Sequence, residues 1–101
     1  MNNANILPKT VRQAFAMLDS HTSHEDKSYF LTQSKSDFVT EQHFGLGLWI
    51  RNNWIYGIDD DSCLRMLAGL SKDEVCLEHP DTVSGRFLEK YYDHLKRVDK
   101  G

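Results

Sequence analysis

The chain has 101 residues, of which 40% are apolar, 11% aromatic and 27% charged, with a formal net charge of −3. This length holds one domain with one modest core, burying about two-thirds of the surface that the unfolded chain exposes. The acidic balance disfavours nucleic acid, because no stretch gathers the Lys/Arg excess that tracks a phosphate backbone; Lys96, Arg97 and Lys100 come nearest, but Asp93 and Asp99 interrupt them, so they read as a solvated face.

The opening residues 1–8 lack the basic start and sustained apolar run of a signal peptide or anchor, and no window reaches the length of a membrane span. Thr10 followed by Gln13 makes a capping box, after which Val11, Ala14, Phe15 and Leu18 recur at the spacing of one helix face. A first helix over 11–20 follows. Ser23 with Asp26 predicts a second, short helix ending near Thr32, with Tyr29, Phe30 and Leu31 as its apolar side.

Ser36 followed by Asp37 predicts a third start, from which Phe38, Val39, His43, Leu46, Ile50 and Trp54 are compatible with one long central helix. Gly45 and Gly47 each weigh against helix by about 1 kcal/mol relative to alanine. They signal either a break near Gly45 or the close approach of another backbone, and close approach is the preferred reading. Because Leu46, Leu48, Trp49, Ile50 and Trp54 cover nearly the whole circumference, this helix is expected to be surrounded by the others.

Gly57 and Asp59-Asp60-Asp61-Ser62 predict a turn into a fourth helix carrying Leu64, Met66, Leu67 and Leu70, and residues 71–80 read as mostly loop. Asp81, after Pro80, opens the last helix, whose Leu88, Tyr91, Leu95 and Val98 form a stripe with Phe87 beside it. Strand alternation and hairpin signals are missing. The expected fold is all-α: a single domain over 1–101, a compact bundle of about five helices around a buried central helix, with 1–8 and 99–101 as loose ends.

Within the run from His43 to Trp54, the triplet Arg51-Asn52-Asn53 sits in strongly apolar surroundings. A buried guanidinium or amide costs roughly 1–3 kcal/mol unless it is answered, so a polar network is expected there. On a helix the three residues point about 100° apart, so at most two share a site. One reading has Arg51 and an amide bind a carboxylate, phosphate or backbone in a cleft. The simpler one has Arg51 pair internally with a carboxylate such as Asp81, tying the central helix to the last.

Trp54 lies in line with Leu46 and Ile50 and is assigned inward, whereas Trp49 falls nearer the edge with Asn52 and Tyr56, where an aromatic can serve as a binding surface. His21, His24, His43, His79 and His94, with Cys63 and Cys76, show no zinc-ligand spacing, so neither a metal nor a cofactor is expected. His43 reads as a half-buried side chain bonded to a neighbour, His79 as part of the last helix's start, and both cysteines as reduced thiols of a cytoplasmic protein. Asp59, Asp60 and Asp61 lack the alternation and terminal glutamate of a calcium loop. Nucleophile motifs, phosphate-cradling glycine loops and paired catalytic carboxylates are missing too.

Three segments together resemble a family of small bacterial and phage domains without known activity: Leu7-Pro8-Lys9-Thr10 before an amphipathic helix, the run from His43 to Trp54, and His79-Pro80-Asp81-Thr82-Val83-Ser84-Gly85. The resemblance runs from about Leu7 to Leu95 and departs between Tyr56 and Glu78. It implies a helical domain whose signature includes His43, Arg51, Asn52, Asn53, Pro80, Asp81, Ser84 and Gly85. If the two polar segments meet, Arg51 reaching Asp81 or Ser84 is the simplest contact, and Gly85 is expected to let the last helix pack closely on Gly45 or Gly47.

Size, acidity and the missing catalytic signature favour a non-enzymatic module that binds a protein partner, of the immunity, inhibitor or regulatory type, with no nucleic acid and no membrane involved. The candidate binding residues are His43, Trp49, Arg51, Asn52, Asn53, Asp81 and Ser84. The alternative is a small-molecule or enzyme-like site around His43, Arg51, Asn52 and Asp81, and self-association into a homodimer through an apolar helix face is a third possibility.

Overall fold

A computed structural model of the chain describes residues 7–55 and 80–100. The acidic turn, the fourth helix over 64–70, the loop over 71–79, both cysteines, Tyr56 and His79 fall outside the described residues. Within them the chain is all-α, built as five α-helices and one π-helical turn.

Helix α1 spans Val11–Ser20, with Thr10 Oγ1 accepting from the Gln13 N–H at 3.0 Å and Gln13 Oε1 accepting from the Lys9 N–H at 2.8 Å. This is the expected capping box, its return bond shifted one residue outward. Helix α2 spans His24–Phe30 behind Ser23, which caps the Asp26 N–H. Helix α3 spans Lys35–Gln42, and its cap is Ser34, whose Oγ accepts from the Asp37 N–H at 3.1 Å. The expected start at Ser36 is therefore two residues late: a cap bonds the N–H three positions on, and only Ser34 stands three before Asp37.

The long central helix is not continuous. The chain turns at residues 43–45, and a new helix, α4, begins at Leu46 and runs to Ile50. Gly45 precedes it with φ −101° and ψ −105°, outside helical geometry, and Gln42 Oε1 accepts from the Leu46 N–H at 3.3 Å to cap the new helix. A Cβ on Gly45 would come within 2.6 Å of that capping oxygen. The break thus falls at Gly45, and close approach belongs to Gly47, where a Cβ would lie 3.0 Å from the Gln42 carbonyl oxygen and 3.4 Å from Leu88 Cδ1.

From Arg51 to Ile55 the winding loosens into a π-helical turn. Buried residues in this stretch are Leu46, Gly47, Ile50, Arg51, Trp54 and Ile55, pairs that recur every four positions. In an α-helix, residues four apart drift by about 40° around the axis. A wider i→i+5 turn takes up that drift and keeps the third pair facing inward. Trp54 is fully buried, as expected, while Phe44, Leu48 and Asn52 remain exposed, so this segment is half covered rather than surrounded.

Helix α5, Pro80–Lys100, is the spine of the bundle. Proline suits its first position, where no N–H is needed. Val83, Phe87, Leu88, Tyr91, Tyr92 and Leu95 are buried along it, but Val98, expected to continue the stripe, is 63% exposed at the rim of a shallow groove beside Leu31. Helix α3 runs antiparallel to α5: Lys35 meets Asp93 at 2.9 Å, Phe38 lies against Tyr92, and Gly85 faces Val39. Gly85 therefore sits under α3 rather than against Gly45 or Gly47. Helix α1 is antiparallel to α5 as well, with Phe15 stacked on His94 and Tyr91 OH donating to Asp19 Oδ1 at 2.6 Å. Pro8 is buried, Leu7 packs on the core and α5 continues to Lys100.

Aromatic rings make up much of the core: Phe30 on Phe38, Phe38 on Tyr92, and Trp54 edge-on to Phe87. Each large side chain so buried contributes roughly 1.5–3 kcal/mol. The indole N–H of Trp54 is buried with no hydrogen-bond partner among the described residues.

Candidate functional site

Two segments far apart in sequence meet where the π-helical turn lies against the first turns of α5. The Arg51 side chain, 3% exposed, enters this junction. Its Nη1 donates to Ser84 Oγ at 2.8 Å, its Nη2 donates to the His43 carbonyl at 2.8 Å, and its Nε stands 3.5 Å from Asp81 Oδ1. Ser84 Oγ in turn donates to the Asp81 carbonyl at 3.0 Å. One guanidinium thus ties the end of α3, the π-helical turn and the start of α5 together.

The local sequence explains why this works. The turn at residues 43–45 frees the His43 carbonyl from regular helix bonding, so that a side chain from the next segment can take it. Gly47 leaves room for the guanidinium, because a Cβ there would lie 3.3 Å from Arg51 Nη1. The planar fork of donors then serves three acceptors at once, which a lysine ammonium on its flexible stem does not reproduce.

His43, Arg51, Asp81 and Ser84 are therefore brought together, and the expected contact of Arg51 with Asp81 and Ser84 is present. Trp49, Asn52 and Asn53 do not join them. Asn53 Nδ2 donates back to the Trp49 carbonyl at 2.8 Å, within its own segment. Asn52 is exposed, contrary to the expectation of a wholly buried triplet, because its position on the turn faces away from α5. Trp49 is half-buried, with the His21 ring 4.3 Å above it and the edge of Trp54 beside it.

The chemistry open to the four clustered residues is limited by how they are used. Ser84 is fully buried, its proton directed at a backbone carbonyl and its lone pair at the guanidinium, so among the described residues no base is placed to activate it. His43 Nε2 and Asp81 Oδ2 are 3.9 Å apart, beyond hydrogen-bond length, on side chains 34% and 48% exposed. Arg51 and Ser84 have almost no surface to present to a ligand. Among the described residues no three His, Cys, Asp or Glu side chains come together as a metal site, and no helix there is long and apolar enough to cross a membrane.

What residue-by-residue reading missed is Phe44. It is 78% exposed, its ring edge-on to His43, and it precedes Leu48, 38% exposed, and Asn52 on the outward side of the same segment. No helical spacing marks it, because Phe44 lies in the turn at 43–45, ahead of the helix that carries Leu48.

No curated protein matches the chain, and no solved structure does. A family described as a domain of unknown function, DUF6794, matches residues 7–95, and the chain belongs to that family.

Proposed function

We propose that this domain is a small non-enzymatic module that binds a protein partner, of the kind that includes immunity, inhibitor and regulatory proteins, in the cytoplasm of a bacterium or in a phage-encoded setting. The observation that carries this reading is a contrast within one segment. Its guanidinium is taken up inside the fold, while Phe44, Leu48 and Asn52 are left exposed. Exposed aromatic side chains are enriched at protein interfaces relative to the rest of the surface.

A photo-crosslinking residue placed at Phe44 tests this in a cell lysate, with mass spectrometry of the adducts. The reading expects one stoichiometric protein adduct, lost when Phe44→Ser is used for capture, with the melting temperature of that variant unchanged. A second copy of the chain as the only adduct would assign the face to a homodimer. The competing small-molecule reading is favoured by one observation, the half-exposed His43 and Asp81 side by side over Arg51. Recovery of no protein partner, together with a retained metabolite, would put that reading first.

A further inference from the structure

The basic residues near the end of the chain are dispersed in sequence by acids, but the fold removes that interruption. Asp93 is held by Lys35 at 2.9 Å, and Asp99 lines a different groove with Leu31 and Val98. Lys96 lies over the Tyr92 ring. Arg97 instead shares an open groove of about 430 Å³ between α1 and α5 with Arg12, Phe15, Ala16, Asp19 and His94.

The antiparallel register builds this groove. Asp19 bonds Tyr91, Phe15 stacks on His94 at 4.5 Å, and one turn further along each helix Arg12 and Arg97 flank the same opening. The single carboxylate on the lining, Asp19, is already engaged by the Tyr91 hydroxyl and by Lys27 at 3.3 Å. Neither arginine has an ion pair among the described residues, so the mouth carries two uncompensated guanidiniums over an apolar floor of Val11, Ala16 and the Phe15 edge.

We propose that this groove receives an acidic, partly apolar peptide segment of a protein partner, with its carboxylates on Arg12 and Arg97 and an apolar side chain on Ala16 and Phe15. Guanidiniums match carboxylates through paired N–H donors. A nucleic acid backbone repeats its charge along a track and needs a longer cationic surface than two arginines on an acidic chain. A groove this open leaves much of a free metabolite in water, whereas a peptide is held by its continuation on either side. The inference rests on the protein-binding reading only for the nature of the partner, and it concerns other residues than Phe44 and Leu48, so the two tests fail separately.

The test is an NMR titration of the ¹⁵N-labelled full chain with a short capped peptide of alternating glutamate and leucine. Saturable shifts confined to residues 11–19 and 94–97 are expected, and they are expected to be absent with the glutamine–leucine counterpart. Arg12→Gln combined with Arg97→Gln should weaken binding about tenfold without moving the melting temperature, while Lys96→Gln, over the Tyr92 ring and outside the groove lining, should leave it unchanged. No saturable shift, equal binding of the glutamine peptide, or unaltered binding by the double variant would overturn the proposal. So would saturation of the same residues by inorganic phosphate or by a single-stranded oligonucleotide in preference to the peptide.

Discussion

Arg51 Nη1 donates to Ser84 Oγ at 2.8 Å, joining the π-helical turn to α5 across 33 residues of sequence. Ser84 is fully buried, so its replacement cannot be repaired by water. Ser84→Ala leaves a buried N–H of a charged group without an acceptor and also releases the Asp81 carbonyl that the hydroxyl holds. A loss of about 1–3 kcal/mol is expected, read as a lower urea midpoint with an unchanged slope.

Gly47 and Gly85 should respond in opposite directions to the same change. At Gly47 a Cβ meets a backbone carbonyl at 3.0 Å and the guanidinium at 3.3 Å, neither of which yields without disturbing the junction. Gly47→Ala is expected to destabilise by about 1–3 kcal/mol. At Gly85, inside α5, the nearest atom to a Cβ is Val39 Cγ1 at 3.9 Å, an ordinary contact. Gly85→Ala is expected to stabilise by about 0.5–1 kcal/mol through a better helix and a less flexible unfolded chain. Thermal melts of the two variants check both signs.

Much of this was legible in the residues because it depends on local bonds. Thr10 with Gln13 and Ser23 with Asp26 mark helix starts through side chain to backbone bonds that span three positions, and both are present. The same rule misplaced the third start because two serines, Ser34 and Ser36, stand before Asp37, and only the bond itself distinguishes them. The pairing of Arg51 with Asp81 followed from the cost of burying a guanidinium unpaired, whereas Ser84 entered only through the family resemblance, as an alternative to Asp81. A break near Gly45 was one of two readings of the glycines, though not the preferred one, and the π-helical turn was not legible. Both are set by how the segment fits against α5, which periodicity along one segment does not contain. For the same reason Phe44 went unmarked, since its exposure depends on where the turn at 43–45 points it.

Tyr91 sets a limit on stability at high pH. Burial, and then the hydrogen bond to Asp19, hold its phenol well above the ordinary value of 10.0. Above about pH 10 the unfolded chain gives up this proton while the folded chain keeps it. Its stabilisation is therefore complete below that pH and is lost progressively as pH rises further. Tyr29, bonded to Glu41, and Lys35, bonded to Asp93, shift in the same direction, but both are about half exposed and weigh little. Melting at about pH 8 and about pH 11 should show a larger fall for the native chain than for Tyr91→Phe.

The two asparagines of the triplet should separate cleanly. Asn53→Ala removes a half-buried bond to the Trp49 carbonyl and is expected to cost about 1 kcal/mol, whereas Asn52→Ala, at an exposed position, should stay within about 0.5 kcal/mol of the native chain. Denaturant unfolding measures both.

Equilibrium unfolding of Arg51→Ala bears most directly on the whole account, because the reading of this domain as a binding module depends on its arginine being used internally. Removing it leaves Ser84, the His43 carbonyl and Asp81 without their shared donor. A loss of about 1.5–3 kcal/mol is predicted, a large share of the total for a domain of this size, and Arg51→Lys should recover only part of it. An Arg51→Ala chain that unfolds at the native urea concentration yet no longer retains a ligand would contradict the account and place the guanidinium in a binding site instead.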